Sequence, residues 1–562
     1  MIFFSFLIFF LIILSRLLYI QVINNQNFVK LANSQHYVKF MLYPQRGMIY
    51  DTNMRILALS FKVFSIYANP TQIKDKEETA LKLASALGVN KDKIRQRINK
   101  KKMFVWIKRM ISDNDAESIK ALKLKGVKLL KENKRYYPNA ELGAQVLGFT
   151  DIDGRGLEGI EHYYDQYLKG KPGRRSLLRD AKQRRLSAFE FEFVPAVDGY
   201  NLVLNIDLVM QHIVEEQMEL AYKKYNAKSA AVVVMNPENG EIYAIANSPN
   251  YDPNFLNNTT PEQRRNRAIC DFFEPGSTFK IITACAALEE KVVSPDDEFF
   301  CENGSYTVSA GHTLHDHKAY GTLTFVEIIE KSSNIGMAKI GKELGQELLY
   351  EYIKKFGFGS LTGIDLPGET SGLAWPVNKW SKLSITSIPM GQEICVSVLQ
   401  MARAMCVIAN GGYLVKPHIV GEIIDNHKQT IKKPEFEKYE RIISGQTAET
   451  MRKILKGVVD KGTGRRAKIE GYSVAGKTGT AQKVIPKVGY SHTKFIASFI
   501  GFVPVESPRF VIAVVFDEPK PQHYGGLVCA PVFKNIAEQL LKYKNIPKIK
   551  PVSNTVGIEN EI

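Results

Sequence analysis

A chain of 562 residues, 45% hydrophobic and 24% charged, is composed like an ordinary globular protein of roughly two to four domains. Its net charge of +17 calls for an anionic partner such as a membrane surface or a polyanionic envelope, but with no C2H2 spacing, RNP-type aromatic motif or dense Arg/Lys helix it excludes a nucleic-acid reader. The six cysteines, at 270, 285, 301, 395, 406 and 529, form no Cys-x-x-Cys and keep no regular spacing, which argues against a disulfide framework or a zinc site.

Met1 to Ser15 is almost wholly apolar, and the apolar character resumes from Leu17 to Ile23 after an arginine that can snorkel. The stretch 1–23 predicts one membrane-spanning helix of about 20 residues. A cleaved signal peptide is the rival, disfavoured because there is neither a basic n-region nor a small-x-small cleavage site. No Lys or Arg precedes the span, whereas Arg16, Lys30 and Lys39 follow it, so charge bias does not orient it. Either the true start lies upstream or translocation of the large C-terminal part fixes the orientation. The expectation is a single-pass anchor in the cytoplasmic (inner) membrane, with the rest of the chain on the extracytoplasmic side.

Residues 24–198 predict a mixed α/β pedestal, with alternating runs at Lys62–Ala68 and Phe104–Ile107 and a basic helical stretch from Lys74 to Lys102. Three pieces, Arg46-Gly-Met-Ile-Tyr-Asp51, Arg135-Tyr-Tyr-Pro138 and Gly154-Arg-Gly-Leu-Glu-Gly159, carry glycines for tight turns and charges that can lock segments together; a structural role is expected of each. Arg174 to Arg185 reads as a solvated basic ribbon, and Pro195 to Gly199 as a junction.

A new domain, 199–545, opens with a strand and an amphipathic helix over Leu202–Leu220, with Asp207 as the cap. Two apolar runs, Ala230–Met235 and Glu241–Ala246, flank the turn Asn236-Pro-Glu-Asn-Gly240, and the same pairing recurs at Phe495–Val503 and Arg509–Phe516. A sheet built from both ends of the domain, with a helical middle packed on it, makes the fold class α+β. Residues 546–562 are left as a tail.

Phe273-Glu-Pro-Gly-Ser277-Thr-Phe-Lys280 lies in that middle. The Pro-Gly pair precedes a helix expected to begin near Ser277, where unpaired backbone N–H groups favour developing negative charge. Lys280, three residues on, can take a proton from the serine hydroxyl only when neutral. Its ordinary pKa of about 10.4 must therefore fall by about 3 units, through burial and a second nearby cation. Ser332-Ser-Asn334 then interrupts a helical stretch, a clustering that disfavours helix unless the side chains cap or serve a site. The Ser332 hydroxyl can relay a proton, and Asn334 can hold a substrate amide and orient Lys280.

Gly471 to Thr478 satisfies the P-loop pattern, but Gly479 onward reads as extended chain instead of the helix a phosphate cradle requires, and too little sequence follows for an NTPase core. As a strand, the segment offers main-chain pairing to an extended peptide, and Lys477, Thr478 and Thr480 offer a cation and two hydroxyls to a carboxylate. The backbone N–H groups of Ser277 and Thr480 can make an oxyanion hole.

With Ser277-x-x-Lys280, Ser332-x-Asn334 and Lys477-Thr478-Gly479 in that order, the chain resembles the penicillin-binding proteins. Arg46-Gly-Met-Ile-Tyr-Asp, Tyr136-Tyr-Pro, Gly156-Leu-Glu-Gly, Asn266-Arg-Ala-Ile, Thr362-Gly-Ile-Asp-Leu-Pro-Gly-Glu and Gly391-Gln-Glu-Ile extend the resemblance to class B, monofunctional members of the cell-division, FtsI-like type. It implies a pedestal of the dimerisation type, a penicillin-binding domain with a central antiparallel sheet, and a cofactor-independent D,D-transpeptidase acting on D-Ala-D-Ala stem peptides of peptidoglycan. It further implies Ser277 as nucleophile, covalent capture of β-lactams, and a SEDS-type glycosyltransferase and other divisome membrane proteins as partners. The Glu-Asp-x-x-Phe motif of the bifunctional class is missing, so polymerising activity is not expected. D,D-carboxypeptidases and β-lactamases share the three motifs, the choice between amine and water being kinetic; the anchor and pedestal favour the transpeptidase. Whole-chain likeness favours division, with elongation the alternative. The His-rich stretch Gly311–His317 departs from the pattern and reads as a loop near the cleft, without a metal.

Overall fold

The computed structural model describes residues 2–29, 37–179, 185–309, 311–433, 440–485 and 489–548. They divide into two compact units, one of Met1–Gly47, Lys62–Asn133 and Gln166–Asn201, the other of Met48–Phe61, Lys134–Asp165 and Leu202–Ile562.

In the first unit the apolar run forms a helix, Ile2–Leu18, continued by a wider turn over Tyr19–Ile23. Among the described residues this 22-residue stretch is the one helix long and apolar enough to cross a membrane, and none of it is buried in protein. A three-stranded antiparallel sheet has Gly173–Arg179 at its centre, between Tyr37–Leu42 and Arg185–Val194. The basic ribbon expected at 174–185 is therefore largely strand, except for residues 180–184, which lie outside the described residues. A separate apolar core is built from Ile66, Leu83, Ile94, Ile98 and Ile107. It packs the helices Lys76–Leu87, Lys91–Ile98 and Asp113–Ala121 on the strands Ile56–Ala68 and Val105–Ile111. Each helix starts where its sequence offers a cap: Asp75, Asn90 and Ser112 accept hydrogen bonds from Glu78 N, Asp92 N and Asp115 N.

The second unit is organised on a five-stranded antiparallel sheet in the order Ile242–Ser248, Ser229–Met235, Phe510–Asp517, Gly489–Val503, Ala475–Ile485. The two predicted hairpins thus lie side by side, and the segment carrying Lys477 is an outer strand. Ser229–Met235 is buried along its whole length, as expected of a run that is apolar on both faces. Val232, Val234, Ile512 and Val514 pack on one face, with the helices Leu208–Lys224 and Gly525–Tyr543. The alternate residues Val233, Val511 and Ala513 are equally inaccessible, so the sheet is covered on both sides. Asp207 caps the first helix, accepting from Val209 N at 3.0 Å.

The glycine-rich pieces do serve as locks. Asp51, fully buried, accepts from Arg55 N at 2.7 Å and Leu208 N at 3.2 Å. Arg135 donates through Nε to Glu161 at 2.6 Å in a buried pair. Gly156 lies so close to the backbone of Glu161 that a Cβ would sit 1.8 Å from its carbonyl oxygen.

Candidate active site

Ser277 lies in a 3-10 turn, Gly276–Thr278, and the α-helix proper runs from Lys280 to Glu289. The helix expected to begin near Ser277 therefore starts three residues later, because the turn is drawn onto the outer strand and its neighbours. Thr278 Oγ1 donates to Pro275 O at 2.8 Å, and Gly276 N donates to Gly391 O at 3.0 Å. Both glycines sit in the left-handed region, and a Cβ on Gly391 would stand 2.1 Å from Gly276 O. Opposite the turn is Gly479, where a Cβ would meet Ser498 Oγ at 2.3 Å and Thr278 at 2.9 Å. The glycine of Lys477-Thr478-Gly479 is thus what lets the serine-bearing turn lie against the strand. Ser277 itself is half-buried, and among the described residues its hydroxyl has no hydrogen-bond partner.

The Lys280 side chain is fully buried, and its Nζ donates into the second motif: to Ser332 O at 2.7 Å, Asn334 Oδ1 at 2.8 Å, Ser333 O at 3.1 Å and Ser332 Oγ at 3.3 Å. Lys477 is fully buried as well and reaches the same hydroxyl from the strand, at 2.8 Å, while also donating to Thr478 O at 3.1 Å. Ser332 Oγ therefore bridges two lysines that are 197 positions apart in the chain. Burial lowers the Lys280 pKa from 10.5 to about 7, with Asp316 and Cys301 opposing the shift. Burial first, and then the charge of Lys280, lowers Lys477. Their repulsion is mutual, so the pair favours one proton over two. The three units expected of Lys280 are supplied by burial; the second cation expected to help does not lower Lys280, and it is the charge of Lys280 that lowers Lys477.

Ser332 ends the helix Phe325–Lys331 with φ at +61°, and Ser333 caps the next helix, Asn334–Leu344, by accepting from Gly336 N. A left-handed non-glycine residue costs about 1 kcal/mol or more, strain that the surrounding bonds must hold in place. The group that holds it is Asp316, a residue absent from the predicted site. Its carboxylate accepts from Ser333 Oγ at 2.6 Å, from Ile335 N at 3.2 Å and from Asn334 N. The neighbouring His315 carbonyl accepts from Asn334 Nδ2 at 3.0 Å, which turns Asn334 Oδ1 toward Lys280. The His-rich stretch thus contributes a carboxylate and a carbonyl to the second motif. The sequence signal for it is an acid set between two histidines, His315-Asp316-His317.

Along the strand, Thr478 Oγ1 lies 2.7 Å from Thr463 Oγ1, a second partner not foreseen, and Thr480 Oγ1 accepts from Gly525 N at 3.1 Å. Residues 475–485 are extended throughout, the geometry that excluded a P-loop.

Buried lysines meeting on a serine hydroxyl, beside a serine in a tight turn and an outer strand, point to a transpeptidase of the penicillin-binding kind. Residues 230–538 match the penicillin-binding protein transpeptidase domain, and residues 41–204 match the penicillin-binding protein dimerisation domain. The chain belongs to this family, in its class B, FtsI-like branch. It is 37% identical to stage V sporulation protein D of Bacillus subtilis, over 97% of this chain and 85% of that protein. It is 33% identical to the peptidoglycan D,D-transpeptidase FtsI of Escherichia coli, over 98% and 92%. Among solved structures it is similar to penicillin-binding protein 3 of Mycobacterium tuberculosis complexed with aztreonam, with a TM-score of 0.72 and 29% identity over 91% of this chain and 99% of that one. A peptidoglycan synthetase from Bifidobacterium adolescentis gives 0.75 and 27%, over 92% and 98%.

Proposed function

We propose that this protein is a membrane-anchored peptidoglycan D,D-transpeptidase working through a serine acyl-enzyme, with its catalytic domain outside the cytoplasm. The observation that carries the reading is the convergence of Lys280 and Lys477 on Ser332 Oγ, with Ser277 in the turn that docks on Gly479. Neutral Lys280 accepts the Ser277 proton as the hydroxyl attacks the penultimate D-Ala carbonyl. The backbone N–H groups of Ser277 and Thr480 receive the oxyanion, a contribution of about 3–4 kcal/mol per donor in acyl transfer. The proton then passes by way of Ser332 to the departing D-Ala amine, leaving an ester on Ser277. An amine from a neighbouring stem attacks that ester, its proton returns to the serine oxygen, and the cross-link is released. Asn334 holds the substrate amide, while Lys477, Thr478 and Thr480 hold its terminal carboxylate beside the strand edge at Gly479. A β-lactam acylates the same serine.

Likeness to FtsI supports wall synthesis at the division septum, with a SEDS-type glycosyltransferase and other divisome membrane proteins as partners. The 37% identity to a sporulation protein favours a second reading, the same chemistry in a developmental wall. Depletion separates them: filamentation of growing cells supports division, and normal growth with defective spores supports the second. The chemistry is tested by fluorescent penicillin labelling, where Ser277→Ala should abolish the labelled band and a band of wild-type intensity would overturn the reading.

A further inference from the structure

We propose that the tip of the first unit formed by Lys100–Phe104, with Tyr67 and Trp106 behind it, is a second membrane contact that seats on an anionic phospholipid bilayer. The charge of the chain is concentrated here: residues 62–133 hold 18 Lys and Arg against 8 Asp and Glu, out of a net +17 for the whole protein. Many of those cations are paired, as Lys82 is with Glu78 at 2.7 Å and Lys91 with Glu77 at 3.1 Å. Lys100, Lys101 and Lys102 differ: all three are exposed, and among the described residues no carboxylate lies within ion-pair reach of them. Directly after them come two apolar side chains that the core does not use, Met103 at 62% exposure and Phe104 at 43%.

Behind the tip is an aromatic cluster on the outer face of the sheet. Tyr67 and Trp106 stand opposite each other across the Ile56–Ala68 and Val105–Ile111 pair, whereas their strand neighbours Ile66, Ala68, Val105 and Ile107 point into the core. Phe104 stacks on Tyr67 at 4.7 Å and meets Trp106 edge-on at 4.9 Å, and all three rings keep some exposure. Tyrosine and tryptophan with an apolar body and a polar end are the side chains that settle at a bilayer interface, and adjacent lysines are attracted to anionic headgroups.

An acidic protein segment would satisfy the lysines but not the apolar tip. A specific protein interface also needs about 800 Å² and 20–30 residues a side, far more than this point supplies. The Ile2–Ile23 span, moreover, keeps a bilayer at high effective concentration around the chain.

The test uses the full chain reconstituted in vesicles, with Trp375→Phe and Trp380→Phe leaving Trp106 as the remaining tryptophan of three. In phosphatidylglycerol-containing vesicles, brominated lipid should remove roughly half of the Trp106 emission, and in pure phosphatidylcholine far less. High salt, or Lys100→Glu with Lys101→Glu and Lys102→Glu, should cut that quenching by about three-fold or more. Met103→Ser with Phe104→Ser should lower the quenching while a salt-sensitive association persists. A thermal melt and fluorescent penicillin labelling, both unchanged, keep the variants interpretable, and the two lipid compositions test the wild-type tip with no variant at all. Trp106 emission indifferent to brominated lipid, equal quenching in neutral and anionic vesicles, or a response to soluble polyglutamate and not to the bilayer would overturn the proposal.

Discussion

The outer strand Ala475–Ile485 carries two lysines whose surroundings are opposites. Lys477, fully buried, has among the described residues only a hydroxyl and a carbonyl as partners, and burial together with the charge of Lys280 lowers its pKa. Lys483, six positions on, is half-buried and bonded to Asp517 at 2.7 Å and Glu518 at 2.8 Å, and those carboxylates raise its pKa against the opposing effect of burial. One end of the strand holds a cation that is hard to keep charged, the other a cation that is hard to discharge. An amine becomes chemically useful when the structure withholds its counter-ion, and catalytic and structural lysines are told apart by that criterion more surely than by sequence spacing.

The largest effect expected from breaking this contrast is at Lys280. Lys280→Met removes the proposed base, so penicillin acylation should fall by about 10²–10⁴-fold. Fold stability should move the other way. A folded pKa of about 7 against 10.5 unfolded means that the buried amine opposes folding fully below about pH 7 and progressively less as pH rises toward 10.5. Lys280→Met should therefore stabilise the fold more at pH 6 than at pH 9, by about 1–4 kcal/mol where the effect is greatest, read as a rise in melting temperature. In the wild type the acylation rate should rise with pH and reach half its plateau near 7, since only the neutral amine accepts a proton.

Lys477→Gln comes next. It removes the donor placed for the substrate carboxylate, so acylation should drop by about 10²-fold, while the rising limb should stay near 7, because burial lowers Lys280 and the charge of Lys280 is what acts on Lys477. A limb that moves to higher pH would mean that Lys477 stays charged and helps to set the base.

Asp316→Asn tests the counter-ion from the other side. Its carboxylate is among the groups that raise Lys280, so its loss should shift the limb to lower pH, while the loosened Ser332–Asn334 turn lowers the plateau by about ten-fold. A residue that only stiffens the loop would lower the plateau and leave the limb unmoved.

Asp316 also marks where reading the sequence stops. The three motifs, the hairpins around Asn236–Gly240 and the extended state of 475–485 were legible because each rests on local rules: turn residues, alternation, helix breakers. Lys280 could be required to be neutral on chemical grounds alone. That its amine would be held by Ser332, Ser333 and Asn334, with the Ser277 hydroxyl outside its hydrogen bonds, depends on how distant helices pack. The pairing of Thr463 with Thr478, and the start of the helix at Lys280, have the same tertiary origin.

The smallest effect is expected at Lys483, and it is the control for the whole contrast. Lys483→Met leaves Asp517 and Glu518 facing each other without their shared cation, in a site still partly open to water. Solvent screening limits the loss to about 1 kcal/mol, and because the raised folded pKa of this lysine stabilises only its charged form, the loss should be full at neutral pH and vanish as pH climbs through that value. Acylation should change by less than about two-fold, because nothing at that end of the strand approaches Ser332. A loss comparable to that of Lys477→Gln would mean that the strand acts as one electrostatic unit, and the distinction between its two lysines would fail.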